Sequence, residues 1–524
     1  MLQLHKKRPK DKKMKLALSS AISKIDEFAK NVLGIPTTEL MDRSGRAVEK
    51  TVRSYVKKGN TVVILAGKGN NGGDGYAAAV RLIDDFSVKV FDVFGEGQRT
   101  EEGRHFLELF KSLGGVVETL LLTEEQKREI KNASCIVDAV FGTGFHGEIP
   151  ECVRELATVV SESVSAVKIA VDVPMGVSAD DGNVDVTAPT MHATVELSFI
   201  KPGIVSYPAR SVVGQIFYDD LGLDIAEILK NFDFKYHLTN EETAARMLPR
   251  RKSDSNKGSF GKALIITGSE SYRGAARLSL EAALRGGVGY STYLGCDTLV
   301  SELAAALPEA IYKSADLSTA EGRELAYKAA STHTAVLFGS GSGNTDATFQ
   351  ICERLLSEEG CPLLLDADAL NALSSKEGAL ALIKNAKRPV ILTPHPLEFA
   401  RLTGHDVATV QRKRLAAAVR FAAENRCILV LKGAGTIVTD GKEVYINESG
   451  SSALAKAGSG DVLAGFITAL LAQGIPPLSA AVLGVYYHGA AGDTLAKEYS
   501  TYGVIPSDLP RQIARELAKA EKRK

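Results

Sequence analysis

A chain of 524 residues, 45% hydrophobic and 24% charged, is too long for one ordinary domain, and either half is long enough to bury a core of its own. Its 63 basic and 63 acidic residues cancel, so no global field draws it to nucleic acid or to a membrane surface. Aromatics are 6% and tryptophan is absent, which argues against a base-stacking platform; no apolar run approaches the ~20 residues of a membrane span.

The chain opens on the basic stretch MLQLHKKRPKDKKM, expected as a disordered tail over residues 1–14. The LALSSAI that follows is too short for the apolar core of a signal peptide. From there to about residue 220, short β-branched runs alternate with helical stretches: TVVILAGKG, VKVFDVFG, CIVDAVFGTG and AVKIAVDVP. Near-continuous apolar strands of this kind predict a parallel sheet covered on both faces, with ligands at the carboxyl ends of its strands. The segment from Asp224 to Gly261 reads as a charged, strandless connection, with a new strand from Lys262. Domains are therefore expected over 15–228 and 236–522. The second half repeats the pattern in KALIITGS, TAVLFGSGSG, PLLLDADA, PVILTPHP and CILVLKGAG. The six cysteines, Cys135, Cys152, Cys296, Cys352, Cys361 and Cys427, form no CxxC pair and suit the reduced thiols of a cytoplasmic protein.

In the first half the informative loop is GNNGGDG, residues 69–75. It lacks the GK[ST] of a Walker A loop, yet it leaves a strand and enters a helix, where free N–H groups and the helix dipole favour an anion. Gly72, Gly73 and Gly75 permit close backbone approach, and Asn70, Asn71 and Asp74 supply side-chain oxygens. A plain strand-to-helix turn is the alternative, for which two glycines suffice. Asp138 and Asp172 sit at two further strand ends. Asp138 with Asn71 suits a hard cation, monovalent or Mg²⁺, and Asp172 suits proton transfer; either aspartate alone is also compatible with a helix cap.

The second half carries a sharper signal in AGSGDVLAG. A glycine turn, Gly458 to Gly460, precedes Asp461 and an apolar helix. N–H groups there hold phosphoryl oxygens, and Asp461 is placed to take a proton from a hydroxyl attacking phosphorus. Asp366, Asp368 and Asn371 lie near an expected Mg²⁺-phosphate region. His395 and Glu398 share a proline-stiffened loop, and Lys432 to Thr436 brackets a nucleotide.

These motifs resemble a known pair. GNNGGDGY, VDAVFGTGFHGE, VDVPMG and FIKPG, within about residues 20 to 225, resemble the NAD(P)HX epimerase domain. KGSFGKALIITGS, YRGAA, LLLDADALN, LTPHPLEFARL, LVLKGAGTIV and AGSGDVLAG, within about 240 to 522, resemble the ADP/ATP-dependent NAD(P)HX dehydratase. The resemblance implies an α/β protein, with a Rossmann-like three-layer domain followed by a ribokinase-like domain. It implies epimerisation of R- and S-NAD(P)HX, nicotinamide hydrates with a hydroxyl at C6. It also implies dehydration of the S form with ADP or ATP and Mg²⁺. Carried over, Asn70, Asn71, Gly72, Gly73, Asp74, Gly142, Thr143, Gly144, Phe145, His146, Gly147, Glu148, Asp172 and Lys201 contact the hydrate in the first domain. Asn71, Asp138 and Met175 hold K⁺ there; Met175 stands where the family usually has Ser, which a site built on a backbone carbonyl tolerates and one that needs a hydroxyl does not. In the second domain Ala275, Gly341, Gly343, His395 and Asp461 contact the hydrate, and Lys432, Gly433, Ala434, Gly435, Thr436 and Gly460 contact the nucleotide. Asn256, Ser340, Ser342 and Leu397 depart from the family's usual His, Pro, Leu and Gly. A homo-oligomer without nucleic-acid or membrane partners is expected. Two other readings remain: a small-molecule kinase with a ligand-sensing first domain, and a nucleotide-binding regulator without catalysis.

Overall fold

The computed structural model describes residues 3–4, 15–95, 97, 99–145 and 149–523, and the chain divides into two compact units, residues 1–236 and 237–524. The expected tail lies outside the described residues except for Gln3 and Leu4; so do His146, Gly147 and Glu148.

Among the described residues nine strands fall in the first unit: β1 (Gln3–Leu4), β2 (Lys15–Leu16), β3 (Thr61–Ala66), β4 (Ser87–Asp92), β5 (Val116–Thr119), β6 (Cys135–Ala139), β7 (Val167–Val171), β8 (Ala193–Leu197) and β9 (Gln215–Asp219). Eight of them form one sheet in the order β1-β9-β8-β7-β6-β3-β4-β5, every pairing parallel. Alternate residues explain its three layers. Val62 and Ile64 pack into one apolar cluster, with helices Thr37–Tyr55 and Asn70–Leu82; Val63 and Leu65 pack into another, with helix Glu151–Glu162. From β3 the chain runs outward through β4 and β5, then returns to β6 on the other side of β3. That reversal opens a crevice at the carboxyl ends of β3 and β6, where the GNNGGDG loop leaves the sheet.

The second unit is built on β10 (Tyr236–Thr239), β11 (Lys262–Ile266), β12 (Tyr290–Gly295), β13 (Ile311–Ser314), β14 (Ala335–Phe338), β15 (Leu363–Leu365), β16 (Val390–Leu392), β17 (Ile428–Leu431), β18 (Ile437–Thr439) and β19 (Val444–Asn447). They run in the order β13-β12-β11-β14-β15-β16-β17-β18-β19-β10. Pairings from β13 to β17 are parallel, and β17-β18-β19 is an antiparallel meander. Helix Ser459–Ala472 is apolar all round and accordingly buried in the core. It lies against helix Arg273–Arg285 so closely that a Cβ on Gly465 would stand 2.1 Å from the Ser279 carbonyl oxygen.

The connection between the halves is not strandless. It carries β10 and the helices Ile225–Asn231 and Glu241–Met247. A four-residue strand, Tyr-His-Leu-Thr, is too short and too polar to show periodicity. Tertiary packing completes it: His237 is buried, stacked on Tyr445 with ring centroids 4.4 Å apart.

Candidate active sites

The first unit holds a cavity of about 430 Å³ at the β3/β6 crevice. Asn70, Asn71 and Asp74 line it from the start of helix Asn70–Leu82, and Gly142 to Phe145 line it from the loop after β6. Gly72 and Gly73 do not; a Cβ on Gly72 would meet the Gly67 carbonyl at 1.9 Å, and one on Gly73 would meet the Met41 side chain at 2.5 Å. Their smallness lets the loop fold onto itself and seat against its neighbours. Three successive strand ends bend into the left-handed region just where they reach the cavity: Asp172 (φ 64°) after β7, Ser198 (φ 65°) after β8 and Leu221 (φ 53°) after β9, all lining it. Non-glycine residues adopt this conformation at a cost of about 1–3 kcal/mol, a strain characteristic of functional sites.

Asn71 donates from Nδ2 to the carbonyls of Phe141 (2.6 Å) and Val171 (3.0 Å), leaving its buried Oδ1 without a partner among the described residues. Asp138 is buried; its carboxylate accepts from the N–H of Val140 (3.2 Å) and of Met175 (2.6 Å), and burial pushes it up to about 7. The Met175 side chain packs in the apolar cluster, so only its main chain faces this group. Deeper still lies Lys201. It is wholly buried and does not line the cavity; it ion-pairs with Asp172, lies 3.4 Å from Glu196 and donates to the Leu197 carbonyl at 3.1 Å. Burial opposes its charge, and Asp172 and Glu196 together outweigh that opposition. Glu196 is also fully buried, and burial lifts it to about 8 against the pull of Lys201.

In the second unit the turn Gly458–Gly460 opens helix Ser459–Ala472, with Gly458 left-handed at φ 98°. His488 of helix Pro477–Gly503 pins this turn, its Nε2 lying 3.0 Å from the Ser459 carbonyl. Asp461, in the first turn, is pushed up to about 7 by burial and then by the charge of Asp366, with Lys432 and the Ser340 hydroxyl pulling it down. Lys432, largely buried at the end of β17, donates to Asp366 at 2.9 Å and lies 3.9 Å from Glu398. Asp366 also accepts from Ser340 (2.8 Å) and Thr393 (2.7 Å). Ala367 after it is left-handed (φ 50°), and Asp368 accepts from the Gly343 N–H at 2.8 Å. Gly341 (φ 67°) faces Ala275, whose Cβ an added Cβ would meet at 3.0 Å. A cleft of about 520 Å³ follows at the ends of β11 to β14, walled by Gly268, Cys296, Asp316 and Ser342 among others. His395 caps helix Pro396–Thr403: Nδ1 accepts from the N–H of Leu397 and Glu398 at 3.2 Å, and Glu398 accepts the His395 N–H at 2.7 Å. Gly433 and Ala434 are exposed, and Gly460 lies beside Lys432, 3.4 Å from its Nζ to an added Cβ.

A family model described as NAD(P)H-hydrate dehydratase matches residues 263–515, and one described as YjeF-related protein N-terminus matches residues 37–203. The bifunctional NAD(P)H-hydrate repair enzyme of Moorella thermoacetica is 33% identical over 513 residues, spanning 95% of this chain and 95% of its own. The chain belongs to the family of bifunctional NAD(P)H-hydrate repair enzymes. The repair enzyme of Escherichia coli is likewise 33% identical, over 485 residues, 92% of this chain and 90% of its own. A solved structure of an ADP/ATP-dependent NAD(P)H-hydrate dehydratase from Bacillus subtilis, co-crystallized with ATP/Mg²⁺, is 32% identical, covers 54% of this chain and 98% of its own, and superposes with a TM-score of 0.48. The family's three-layer Rossmann-like and ribokinase-like α/β halves are the two units described above.

Within this repair enzyme, then, Asn70, Asn71, Asp74, Gly142, Thr143, Gly144, Phe145 and Asp172 meet at one cavity, while Lys201 supports Asp172 from below. Sequence reasoning missed Glu196, which sits inside the apolar run of β8, and the Lys432–Asp366 pair, whose members are 66 residues apart. It also missed Asp26 of helix Ser19–Asn31, which lines the first cavity.

Proposed function

We propose that the first unit interconverts the R and S forms of NAD(P)HX and that the second dehydrates the S form at the expense of ADP or ATP. The observation that carries this reading is Asp461: a half-buried carboxylate at the start of a helix, beside the glycine turn Gly458–Gly460 and the largely buried Lys432. In the second unit Asp461 takes the proton of the C6 hydroxyl while that oxygen attacks the terminal phosphorus of the nucleotide. The N–H groups of Gly458 to Gly460, with Lys432, meet the phosphoryl oxygens, and the loop to Thr436 holds the nucleotide. Breakage of C6–O, with loss of a proton from C5, then releases phosphate and restores the reduced nicotinamide. In the first unit Asp172, ion-paired with Lys201, is the proton-transfer group, and the N-terminus of helix Asn70–Leu82 faces the dinucleotide phosphates.

Two ions belong to this reading. The unpartnered Oδ1 of Asn71 and the buried Asp138 carboxylate fit K⁺, with the Met175 carbonyl as a third oxygen; bound there it supplies positive charge beside the phosphates. Among the described residues no three His, Cys, Asp or Glu side chains converge as a metal site. Asp366 is already engaged by Lys432, Ser340 and Thr393. Mg²⁺ would therefore fit as an ion carried on nucleotide phosphates, where it would neutralise phosphoryl charge, with Asp368, which accepts from the Gly343 N–H, as a carboxylate on the same side. A cytoplasmic homo-oligomer is part of this reading; the free cysteines support a reducing compartment.

The test is direct. Purified protein, a mixture of R- and S-NADHX, Mg²⁺, and ADP or ATP should restore absorbance at the reduced-nicotinamide band until all the hydrate is consumed. Recovery without nucleotide, or none with it, would sink the reading.

A further inference from the structure

Inverting C6 of the hydrate asks for more than one proton-handling group. C6 carries the hydroxyl and is bonded to the ring nitrogen. An acid gives a proton to the hydroxyl, C6–O breaks, water leaves, and the nitrogen lone pair forms a double bond to C6. Water then adds to the other face of C6 and gives a proton to a carboxylate. Protons, oxygen and electron pairs balance over the cycle, and no co-reactant is needed. The return direction exchanges the two roles, so both groups must accept and donate.

Asp172 is one such group. The first cavity holds a second that lies outside the segment matched by the family model, residues 37–203. Helix Ser19–Asn31 buries Ile22, Ile25 and Ala29 in the core of the unit, and this anchoring fixes Asp26, next to Ile25, on the cavity wall. Asp26 has no ion pair among the described residues, whereas Asp172 is tied to Lys201. Its charged surroundings are Asp172, Asp74 and Lys201, which reach it from β7, from helix Asn70–Leu82 and from the segment after β8. Two further polar groups on the same wall point to a ligand: Asn71 Oδ1 and Ser198 Oγ, in residues 7% and 3% exposed, are both buried without a partner among the described residues.

We infer that Asp26 is a catalytic residue of the epimerase, the acid–base partner of Asp172, presented to the C6 hydroxyl from a different element of the fold. Burial lifts its carboxyl to about 6, the Asp172 charge adds to the lift and Lys201 opposes it, so the group gains and loses a proton readily near neutrality. The inference rests on the epimerase reading of the first unit.

The experiment uses the full chain. Asp26→Asn should lower kcat for conversion of R- to S-NADHX, followed by chromatographic separation of the epimers, at least about a hundredfold, with KM within about threefold. Dehydration of pure S-NADHX with ADP should keep its wild-type rate. Epimerisation by Asp26→Asn within a few-fold of wild type overturns the inference, as does a loss confined to KM. If Asp26→Asn loses both activities, Asp26→Glu decides: partial epimerisation there supports the acid–base role, and none overturns it. Failure of the wild-type chain to interconvert epimers at all would instead remove the epimerase reading on which the inference stands.

Discussion

Asp461 and Asp138 are in the same electrostatic position in different units. Burial lifts each to about 7, so each needs something to hold its charge. For Asp461 that is Lys432, and the carboxylate must be ionised to act as a base. Dehydration of S-NADHX should therefore fall as pH drops below about 7. Asp461→Asn keeps the shape and the helix start, so the protein should stay folded and still epimerise. Its dehydration rate should fall at least about a hundredfold, read as absorbance recovery from pure S-hydrate. Near-normal dehydration would leave Asp461 a mere helix cap. For Asp138 the proposed partner is K⁺. A carboxyl raised to about 7 in the fold, against 3.8 as its reference, binds its proton more tightly folded than unfolded. Its ionisation thus opposes folding as pH rises towards and past 7. A cation on the carboxylate relieves this where the proton is gone and competes with the proton where it remains. Exchanging NaCl for KCl at equal ionic strength should raise the melting temperature of the first unit more at pH 8 than at pH 5, and Asp138→Asn should abolish the difference. An equal K⁺ effect in the variant would refute the site.

At the scale of elements, what was legible in the sequence depended on glycines and strand ends. The runs TVVILAG, CIVDAVFG and AVKIAVDV announced β3, β6 and β7 because strands buried on both faces are apolar at every position. Asp138 and Asp172 were visible because a polar residue closing such a run has few structural reasons to be there, and Asn71 and Asp461 because glycine-rich turns lead them into helices. Asp26 carried no such mark: it sits on an amphipathic helix among Lys24, Glu27 and Lys30, and looks like any solvated position. Glu196 was hidden for the opposite reason, since nothing in ATVEL tells a buried glutamate from an exposed one. His395 and Gly433 to Thr436 were legible as loop residues from their prolines and glycines, but the cap made by His395 is a side-chain to backbone contact that residue types do not reveal. Glycine also sets the packing of helix Ser459–Ala472. Gly465→Ala would press a methyl carbon against the Ser279 carbonyl at 2.1 Å, a backbone atom that cannot rotate away. The two helices must separate, and overpacking of this kind costs about 1–3 kcal/mol. The denaturation midpoint of the second unit should fall accordingly; an unchanged midpoint would refute the tight contact at Gly465.

For the molecule as a whole, the two units have separate apolar cores, one set drawn from residues 17–234 and the other from residues 244–520. Separate cores allow one activity to be removed while the other remains, and the substrate's stereochemistry makes that visible. Hydration yields both C6 epimers, and the second unit is expected to accept only S. Asp172→Asn is the change to make. Asn tolerates the left-handed backbone at φ 64° better than most residues, so the strand end need not move. Removing the anion beside a buried lysine would normally destabilise by about 3–5 kcal/mol, because an uncompensated charge is left behind. Here Glu196 lies 3.4 Å from Lys201 Nζ, and the Leu197 carbonyl already accepts from it. Glu196 is raised to about 8 in the native protein; with Asp172 neutral it loses one like charge and becomes the lysine's remaining counter-ion. The variant should therefore fold and dehydrate S-NADHX at the wild-type rate. Given a mixture of epimers, ADP and Mg²⁺, the wild-type chain should convert all of it. Asp172→Asn should stop at the S fraction over the same period and leave R-hydrate that chromatography identifies. Complete conversion by the variant would show that Asp172 takes no part in epimerisation. Arrest with both epimers remaining would show instead that its loss reaches the second unit, against the separation of the two cores.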